Sequence, residues 1–393
     1  MKKKILFANL HMNTGGVEKS LLDILQHLDY SKYEVDLLLF QGIGDYKNEI
    51  PEEVNILEID LLKTEGSFKN LIINSFKEHK FSNLKFRLLS KKINKKLNPS
   101  LMTKMKKYWS LSKQYDIAIA YRFGFPMDFI AYLVDAKKKF VWWHHGAYMY
   151  SKDETYMMNK TLENFDKIVF VSKSCMNMAF NNGLNCIGKS VVIPNMLDVE
   201  YIENKSEEFI PYDKSENGNK IIVTVSRLSP EKHIENAVYA AELLVKNNVL
   251  NFTWYIVGNG SEYNNLKKII SDKKLEDKII LTGNQVNPYP YVRYSDVYVH
   301  TSYIESQGIA ILEAMALGKL CVVTKSDGAL EFCKDGYNSF LCEQGYSDLY
   351  KAIKETFNYR QDEIQKKVVE TVEFYKPNNI IKRFDNICEK ELL

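Results

Sequence analysis

Short apolar runs that end on a glycine or polar turn and give way to a helix-period stretch recur along this 393-residue chain, and that recurrence limits the fold more than any other feature. Residues 5–10 (ILFANL) lead through the loop HMNTGG into a helical pattern carrying Val17, Leu21, Leu22, Leu25 and Leu28. Residues 33–40, 54–59, 116–121 (DIAIAY), 139–143 (KFVWW), 167–172 (KIVFVS) and 190–195 (SVVIPN) read as further strands of the first half. The second half repeats the plan with 220–226 (KIIVTVS), 252–257 before Gly258-Asn259-Gly260, 278–281 before Thr282-Gly283, 296–300 (DVYVH) and 320–324 (LCVVT). Strands alternating with helices in this way predict an α/β chain with one parallel sheet in each half. The length is too great for one ordinary core, which again points to two domains. Between the halves, residues 200–220 (EYIENKSEEFIPYDKSENGNK) are polar and lack an apolar period, so they read as linker and surface loop, with the boundary inside 195–218.

Composition excludes several classes. A net charge of +3 is too small for nucleic acid to be the main partner. Cys175, Cys186, Cys321, Cys333, Cys342 and Cys388 are scattered with no C-x-x-C pair, so neither a zinc site nor a disulfide framework is indicated, and a reducing cytoplasm is the expected location. The opening MKKKILFANL is basic and then apolar, but the run ends at Leu10 without a secretory signal's length or cleavage site. No stretch approaches the roughly 20 apolar residues of a membrane span. From Lys63 to Lys113, lysines accumulate against only Glu65 and Glu78, with leucines, isoleucines and phenylalanines between them. Such a basic amphipathic stretch suits an anionic bilayer surface, and equally a solvated lysine face.

The richest segment is 301–319 (TSYIESQGIAILEAMALGK). It turns at Gly308 and continues as a helix of strong helix formers through Ile309, Ala310, Ile311, Leu312 and Met315. The first amides of such a helix have no internal partner and carry the positive end of its dipole, a ready place for phosphate oxygens. Glu305 precedes the turn and Glu313 lies about one turn into the helix, roughly 6 Å along the axis. Carboxylates would repel a diphosphate, so they should accept hydrogen bonds from neutral hydroxyls on its two flanks. A nucleotide diphospho-sugar has hydroxyls in both places. Arg227 and Lys232, in RLSPEK after the strand 220–226, are the obvious cations for a diphosphate, one bidentate and one a point charge. No Asp-x-Asp pair is present, so the charge released on a leaving diphosphate would fall to these cations and the helix end, and no metal or other cofactor is expected.

These elements, in this order, resemble the retaining glycosyltransferases of family 4, whose fold is called GT-B. Glu305 and Glu313, seven residues apart and followed by AMALGK, resemble that family's E-x7-E element; Arg227 and Lys232 resemble its R-L-x-x-x-K element. TGGVEKSLL, with Gly15 and Gly16, resembles its first loop, which lies against the donor's phosphates and sugar. The resemblance implies two Rossmann-like domains facing across a cleft: residues 1–200 on the acceptor side, 201–375 on the donor side, and 376–393 as a helix returning to the first domain. It implies that Glu305 contacts the donor sugar, Glu313 the ribose, the amides of Gly308, Ile309 and Ala310 the diphosphate, and backbone near Gln285 and Val286 the base. A histidine after the strand 139–143 would face the sugar, and the following Gly-Ala-Tyr favours His145 over His144. The expected reaction is a retaining, metal-independent transfer from a UDP-sugar to a saccharide or lipid-linked acceptor, in surface polysaccharide or glycan biosynthesis, in the cytoplasm, with the cytoplasmic face of the membrane as the alternative should the lysine-rich stretch bind lipid. A sugar phosphorylase, a nucleotide-sugar epimerase, a non-catalytic partner of another transferase and a lectin-like module are the competing readings.

Overall fold

The computed structural model describes residues 2–58, 113–145, 150–212, 219–357 and 361–389, with the isolated residues 103, 106 and 111. It divides into two compact units, Met1–Pro194 with Ile381–Leu393, and Asn195–Ile380. The lysine-rich 63–113 segment lies outside the described residues except at 103, 106, 111 and 113.

The first unit runs β1 (Lys3–Asn9), α1 (Gly16–His27), β2 (Tyr33–Leu39), β3 (Val54–Glu58), β4 (Tyr115–Ala120), α2 (Phe125–Leu133), β5 (Ala136–Trp143), α3 (Lys152–Leu162), β6 (Lys167–Phe170), α4 (Lys173–Asn181) and β7 (Ser190–Val192). Its seven strands pair in the order β3-β2-β1-β4-β5-β6-β7, every pairing parallel. Residues Ile5 to Ala8 of β1 are completely buried, as a central strand covered on both faces requires.

The second unit runs α5 (Val199–Ser206), β8 (Lys220–Val225), α6 (Glu235–Lys246), β9 (Phe252–Val257), α7 (Tyr263–Asp272), β10 (Ile279–Gly283), α8 (Tyr289–Arg293), β11 (Val297–His300), α9 (Ile309–Ala316), β12 (Leu320–Thr324), β13 (Phe340–Cys342), α10 (Tyr346–Thr356) and α11 (Gln361–Glu373). Its six strands pair in the order β10-β9-β8-β11-β12-β13, again all parallel. Within each unit the strand order reverses beside the first strand, between β1 and β4 and between β8 and β11. In open sheets of this kind, ligands bind beyond the carboxyl ends of the strands at that reversal.

The last helix, α12 (Pro377–Glu389), packs its Phe384 ring into the first unit's core. The ring centroid lies 6.1 Å from Phe7 and 6.0 Å from Trp142. Asp385 accepts from the Tyr33 hydroxyl at 2.9 Å and from Lys32 at 3.2 Å.

One expectation is corrected. The stretch 200–220 is not all linker, because α5 occupies its start. Asp198 caps that helix by accepting from the Tyr201 amide at 3.0 Å. Ile202 supplies its one deeply buried apolar anchor. Its last turn is held from outside: Asn287 donates to the Lys205 carbonyl at 2.7 Å, and Arg293 pairs with Glu207 at 2.5 Å. A helix held by such distant partners shows no apolar period of its own.

Asp128, on α2, is buried against Thr161 of α3, whose hydroxyl donates to it at a long 3.4 Å. Burial pushes its carboxyl from 3.8 up to about 7, more than the Thr161 bond offsets. The folded chain therefore keeps a proton that the unfolded chain releases, and stability should fall as pH rises from about 4 to 7, by at most about 4 kcal/mol. Asp128→Asn is expected to flatten that slope and to raise the urea midpoint at pH 8 relative to wild type; equal midpoints at pH 5 and pH 8 in the wild type would contradict the assignment.

Candidate active site

The carboxyl edge of the second sheet is shaped by glycines. Beyond β8 the chain passes Ser226 and Arg227 into a 3-10 turn at Pro230–Lys232. The Ser226 amide donates to the Val257 carbonyl and the Leu228 amide to the Asn259 carbonyl, both at 3.0 Å. A Cβ on Gly258 would lie 1.9 Å from the Ser226 carbonyl oxygen, and one on Gly260 2.1 Å from that of Leu228, so only glycine lets these strands' ends approach so closely. Thr301, just past β11, donates to the Lys232 carbonyl at 2.7 Å and ties the two loops together.

Glu305 is the centre of what they hold. Its Oε1 accepts from Lys232 Nζ at 2.6 Å and from His300 Nε2 at 2.8 Å. The side chains are 11% (Glu305), 17% (Lys232) and 4% (His300) exposed. Burial alone would raise the Glu305 carboxyl, but the His300 hydrogen bond and the neighbouring His300 and Lys232 outweigh it and hold it well below the usual carboxylate range. On its far side His300 Nδ1 lies 3.4 Å from the Tyr298 hydroxyl. The Glu305 loop is clamped twice more. Tyr303 stacks on His233 with centroids 3.7 Å apart and accepts from Asn236 at 2.8 Å. Behind it, Gly328 presses so close that an added Cβ would lie 2.4 Å from the Glu305 carbonyl oxygen.

Gly308, at φ 81°, takes the left-handed conformation that starts α9. The first amides to bond within the helix are those of Ile311 and Leu312, both to the Gly308 carbonyl, so the amides of Ile309 and Ala310 precede the ladder. Gln307 anchors this turn through Asn195, accepting from its amide at 2.9 Å and donating to its carbonyl at 3.3 Å. Glu313, inside α9, accepts from the Tyr289 hydroxyl of α8 at 2.9 Å. Val286 sits in the loop before α8 with its side chain in solvent, while the Gln285 side-chain Nε2 donates back to the Thr282 carbonyl at 3.1 Å. Arg227 is exposed; its carbonyl accepts from the Ser229 amide at 3.0 Å and from the Ser226 hydroxyl at 3.2 Å, while its guanidinium makes no hydrogen bond to the described residues.

The first unit places Gly15 and Gly16 at the start of α1, beyond β1. A Cβ on Gly15 would lie 2.6 Å from Glu18 Oε2; one on Gly16 would meet nothing within 4 Å. Glu18 Oε1 accepts from Arg122 at 2.9 Å, and His11 Nδ1 lies 3.4 Å from it. The two histidines after β5 differ sharply. His145 is half-buried, set edge-on to Phe123 with centroids 5.6 Å apart. His144 is buried against Tyr121, 4.9 Å between centroids. Burial, then the neighbouring His145, pushes its imidazole down to about 3, so it is neutral. Its Nε2 and the Oδ1 of Asn9 are buried without a partner among the described residues.

The sequence-derived residues thus fall on the carboxyl edges of the two sheets, with Glu305 and Lys232 in direct contact. His300, Tyr289, Glu18 and Arg122 were not singled out. The one signal for His300 was a polar residue closing the apolar run 297–299, and for Glu18 its place just after the glycine pair.

Gly328→Ala should displace the Glu305 loop and cost about 1–3 kcal/mol, since backbone rather than a flexible side chain must move. A guanidinium midpoint unchanged from wild type would show that the loop yields freely.

Two parallel sheets of this strand order, with charged and neutral polar clusters at their reversal points, define a double Rossmann-like chain of the GT-B type. Known proteins agree. The family model described as Glycosyltransferase Family 4 matches residues 14–201, and that described as Glycosyl transferases group 1 matches residues 205–371. The chain belongs to these glycosyltransferases. An uncharacterized glycosyltransferase of Methanocaldococcus jannaschii is 31% identical over 221 residues, 52% of this chain and 55% of that protein. The N-acetyl-alpha-D-glucosaminyl L-malate synthase of Bacillus anthracis is 27% identical over 194 residues, 47% of this chain and 48% of that protein. These matches therefore span about half the length of the curated relatives. Among solved structures, Anabaena HepE in complex with UDP and glucose shares the fold with a TM-score of 0.72 at 19% identity, covering 98% of this chain and 99% of that one.

Proposed function

We propose that this protein moves a glycosyl group from a nucleotide diphospho-sugar, with UDP as the carrier, to a hydroxyl of a saccharide or lipid-linked acceptor, with retention at the anomeric carbon, in glycan or surface polysaccharide biosynthesis. The observation that carries this reading is the Lys232–Glu305 contact at 2.6 Å, held just before the open N-terminus of α9. A cation, a sugar-directed carboxylate and unpaired amides in one loop suit a diphosphate joined to a neutral polyhydroxyl group. UDP in the HepE crystal and the α-glucosaminyl product named for the Bacillus relative support the carrier and the retained configuration.

In the reaction the anomeric carbon–oxygen bond breaks and its electron pair goes to the diphosphate. Arg227, Lys232 and the amides of Gly308, Ile309 and Ala310 receive that charge as a site arranged beforehand. The acceptor oxygen forms the new bond on the same face, and its proton passes to the departing diphosphate. Glu305 accepts from sugar hydroxyls and Glu313 from the ribose. Val286 lies where backbone would read the base. In the other unit, Gly15, Gly16 and His145 would meet the sugar. No metal is needed for this scheme.

The test is a thermal-shift panel of UDP, GDP, UDP-glucose and UDP-N-acetylglucosamine, followed by turnover of the best binder. UDP should stabilise the protein, EDTA should leave turnover unchanged, and Glu305→Ala should lower kcat by about 10²–10³. Arg227→Ala and Lys232→Ala should weaken UDP binding as well. Unchanged kinetics in Glu305→Ala would overturn the assignment, and products of phosphorolysis or epimerisation alone would replace it with the competing reading.

We further propose that the lysine-rich 63–113 segment holds the enzyme on the cytoplasmic face of an anionic membrane. No described helix is long and apolar enough to cross one, and clustered lysines bind anionic lipid at about 1 kcal/mol each. Cosedimentation with phosphatidylglycerol vesicles at 0.1 M salt, lost on pure phosphatidylcholine, is expected; equal binding to both would refute it.

A further inference from the structure

Resting on that reading, the geometry points to His300 as a positioning residue, which holds Glu305 through one oxygen so that the other can take a hydroxyl of the donor sugar. Both bonds to the Glu305 carboxylate converge on Oε1: Lys232 Nζ at 2.6 Å and His300 Nε2 at 2.8 Å. No hydrogen bond to Oε2 is made by the described residues. A carboxylate oxygen only accepts, so Nε2 carries the proton it donates. His300 is 3% exposed and closes β11, whose neighbour β8 leads to the Lys232 turn. Its ring cannot drift, because Nδ1 is met at 3.4 Å by the Tyr298 hydroxyl, itself 3.4 Å from the Val225 carbonyl at the end of β8.

The two partners of Oε1 differ in what they can do when a donor arrives. Lys232 is a flexible ammonium on a long stem, and an incoming diphosphate is a stronger attractor for it than one carboxylate. His300 is a rigid ring at the end of a buried strand, its side chain only 4% exposed. As Lys232 turns toward phosphate, His300 alone keeps the nearly buried Glu305 ionised, oriented and hydrogen-bonded, and Oε2 stays aimed at the sugar. A carboxylate released by both partners would reorient or take up a proton, and in either case the sugar would lose its acceptor.

Three variants separate this role from a structural one. His300→Leu removes the donor, His300→Gln places an amide N–H where Nε2 stood, and His300→Asn carries the same amide on a shorter arm. The readouts are the dissociation constant of free UDP, which has no sugar, and kcat for UDP release from UDP-glucose or UDP-N-acetylglucosamine, whichever the wild type turns over. His300→Leu is expected to lose about 30-fold in kcat, as for a hydrogen bond to a charged group, with UDP affinity within about threefold of wild type. His300→Gln should recover most of kcat and His300→Asn should not. Wild-type turnover in His300→Leu, a fall in UDP affinity parallel to kcat, or equal rates in the Gln and Asn variants would each overturn the proposal. The Gln and Asn comparison decides the matter if the Leu variant does not fold. A wild type that binds and consumes neither UDP-sugar would instead overturn the transferase reading on which this rests.

Discussion

A carboxylate withdrawn from water almost completely, yet kept ionised, is the constraint around which the second unit is built. Desolvation of Glu305 works against its charge, and only the Lys232 and His300 bonds reverse the balance. Such buried pairs seldom add net stability, because desolvation consumes what attraction returns, although removing one partner costs about 3–5 kcal/mol. The arrangement is therefore not explained by folding. What the chain gains is direction: an anion whose position is fixed before anything binds. The glycines serve that end, since Gly258, Gly260 and Gly328 each let backbone pass where a methyl group would collide.

The two sheets share a strand order but put different chemistry on their edges. At the reversal in the second unit the polar groups are charged and paired, as in Lys232–Glu305. At the reversal in the first unit, beside the Glu18–Arg122 pair, lie neutral groups left wanting: Asn9 Oδ1 and His144 Nε2 are buried without partners. Buried polar atoms without a bond are uncommon and call for an occupant or a water. With Nε2 unbonded, the Tyr121 backbone bond is made through Nδ1–H, so both unpaired atoms are acceptors.

Much of this was legible before coordinates. Each strand placed by apolar runs and glycine stops, from residues 5–10 to 320–324, is found, because buried parallel strands have little freedom in composition. Glu305, Lys232 and Gly308 were legible for a different reason: charge beside a turn and a helix start has few uses in an apolar sheet protein. What escaped depends on partners far along the chain. α5 needs Asn287 and Arg293 to hold its end, β13 is three residues long, and His300 acquires meaning only from where its ring points. The lysine-rich segment stays a matter of composition, since it lies outside the described residues.

The helix starts differ in what they would offer the proposed diphosphate. α3 is closed by the Ser151–Glu154 capping box, α4 by Ser172 and α5 by Asp198, so their first amides are satisfied from within. α9 has no capping side chain and no acid in its first turn, so nothing within the helix offsets its positive end. α1 also lacks a side-chain cap, but Glu18 sits in its first turn. A phosphate brought to α1 would meet that carboxylate, whose charge Arg122 already shares, whereas one brought to α9 would meet open amides with Lys232 nearby, the Glu305 carboxylate before the turn being already bonded to Lys232 and His300. Under the proposed reading, that charge distribution suits the donor's diphosphate to the Gly308 turn rather than to the start of α1.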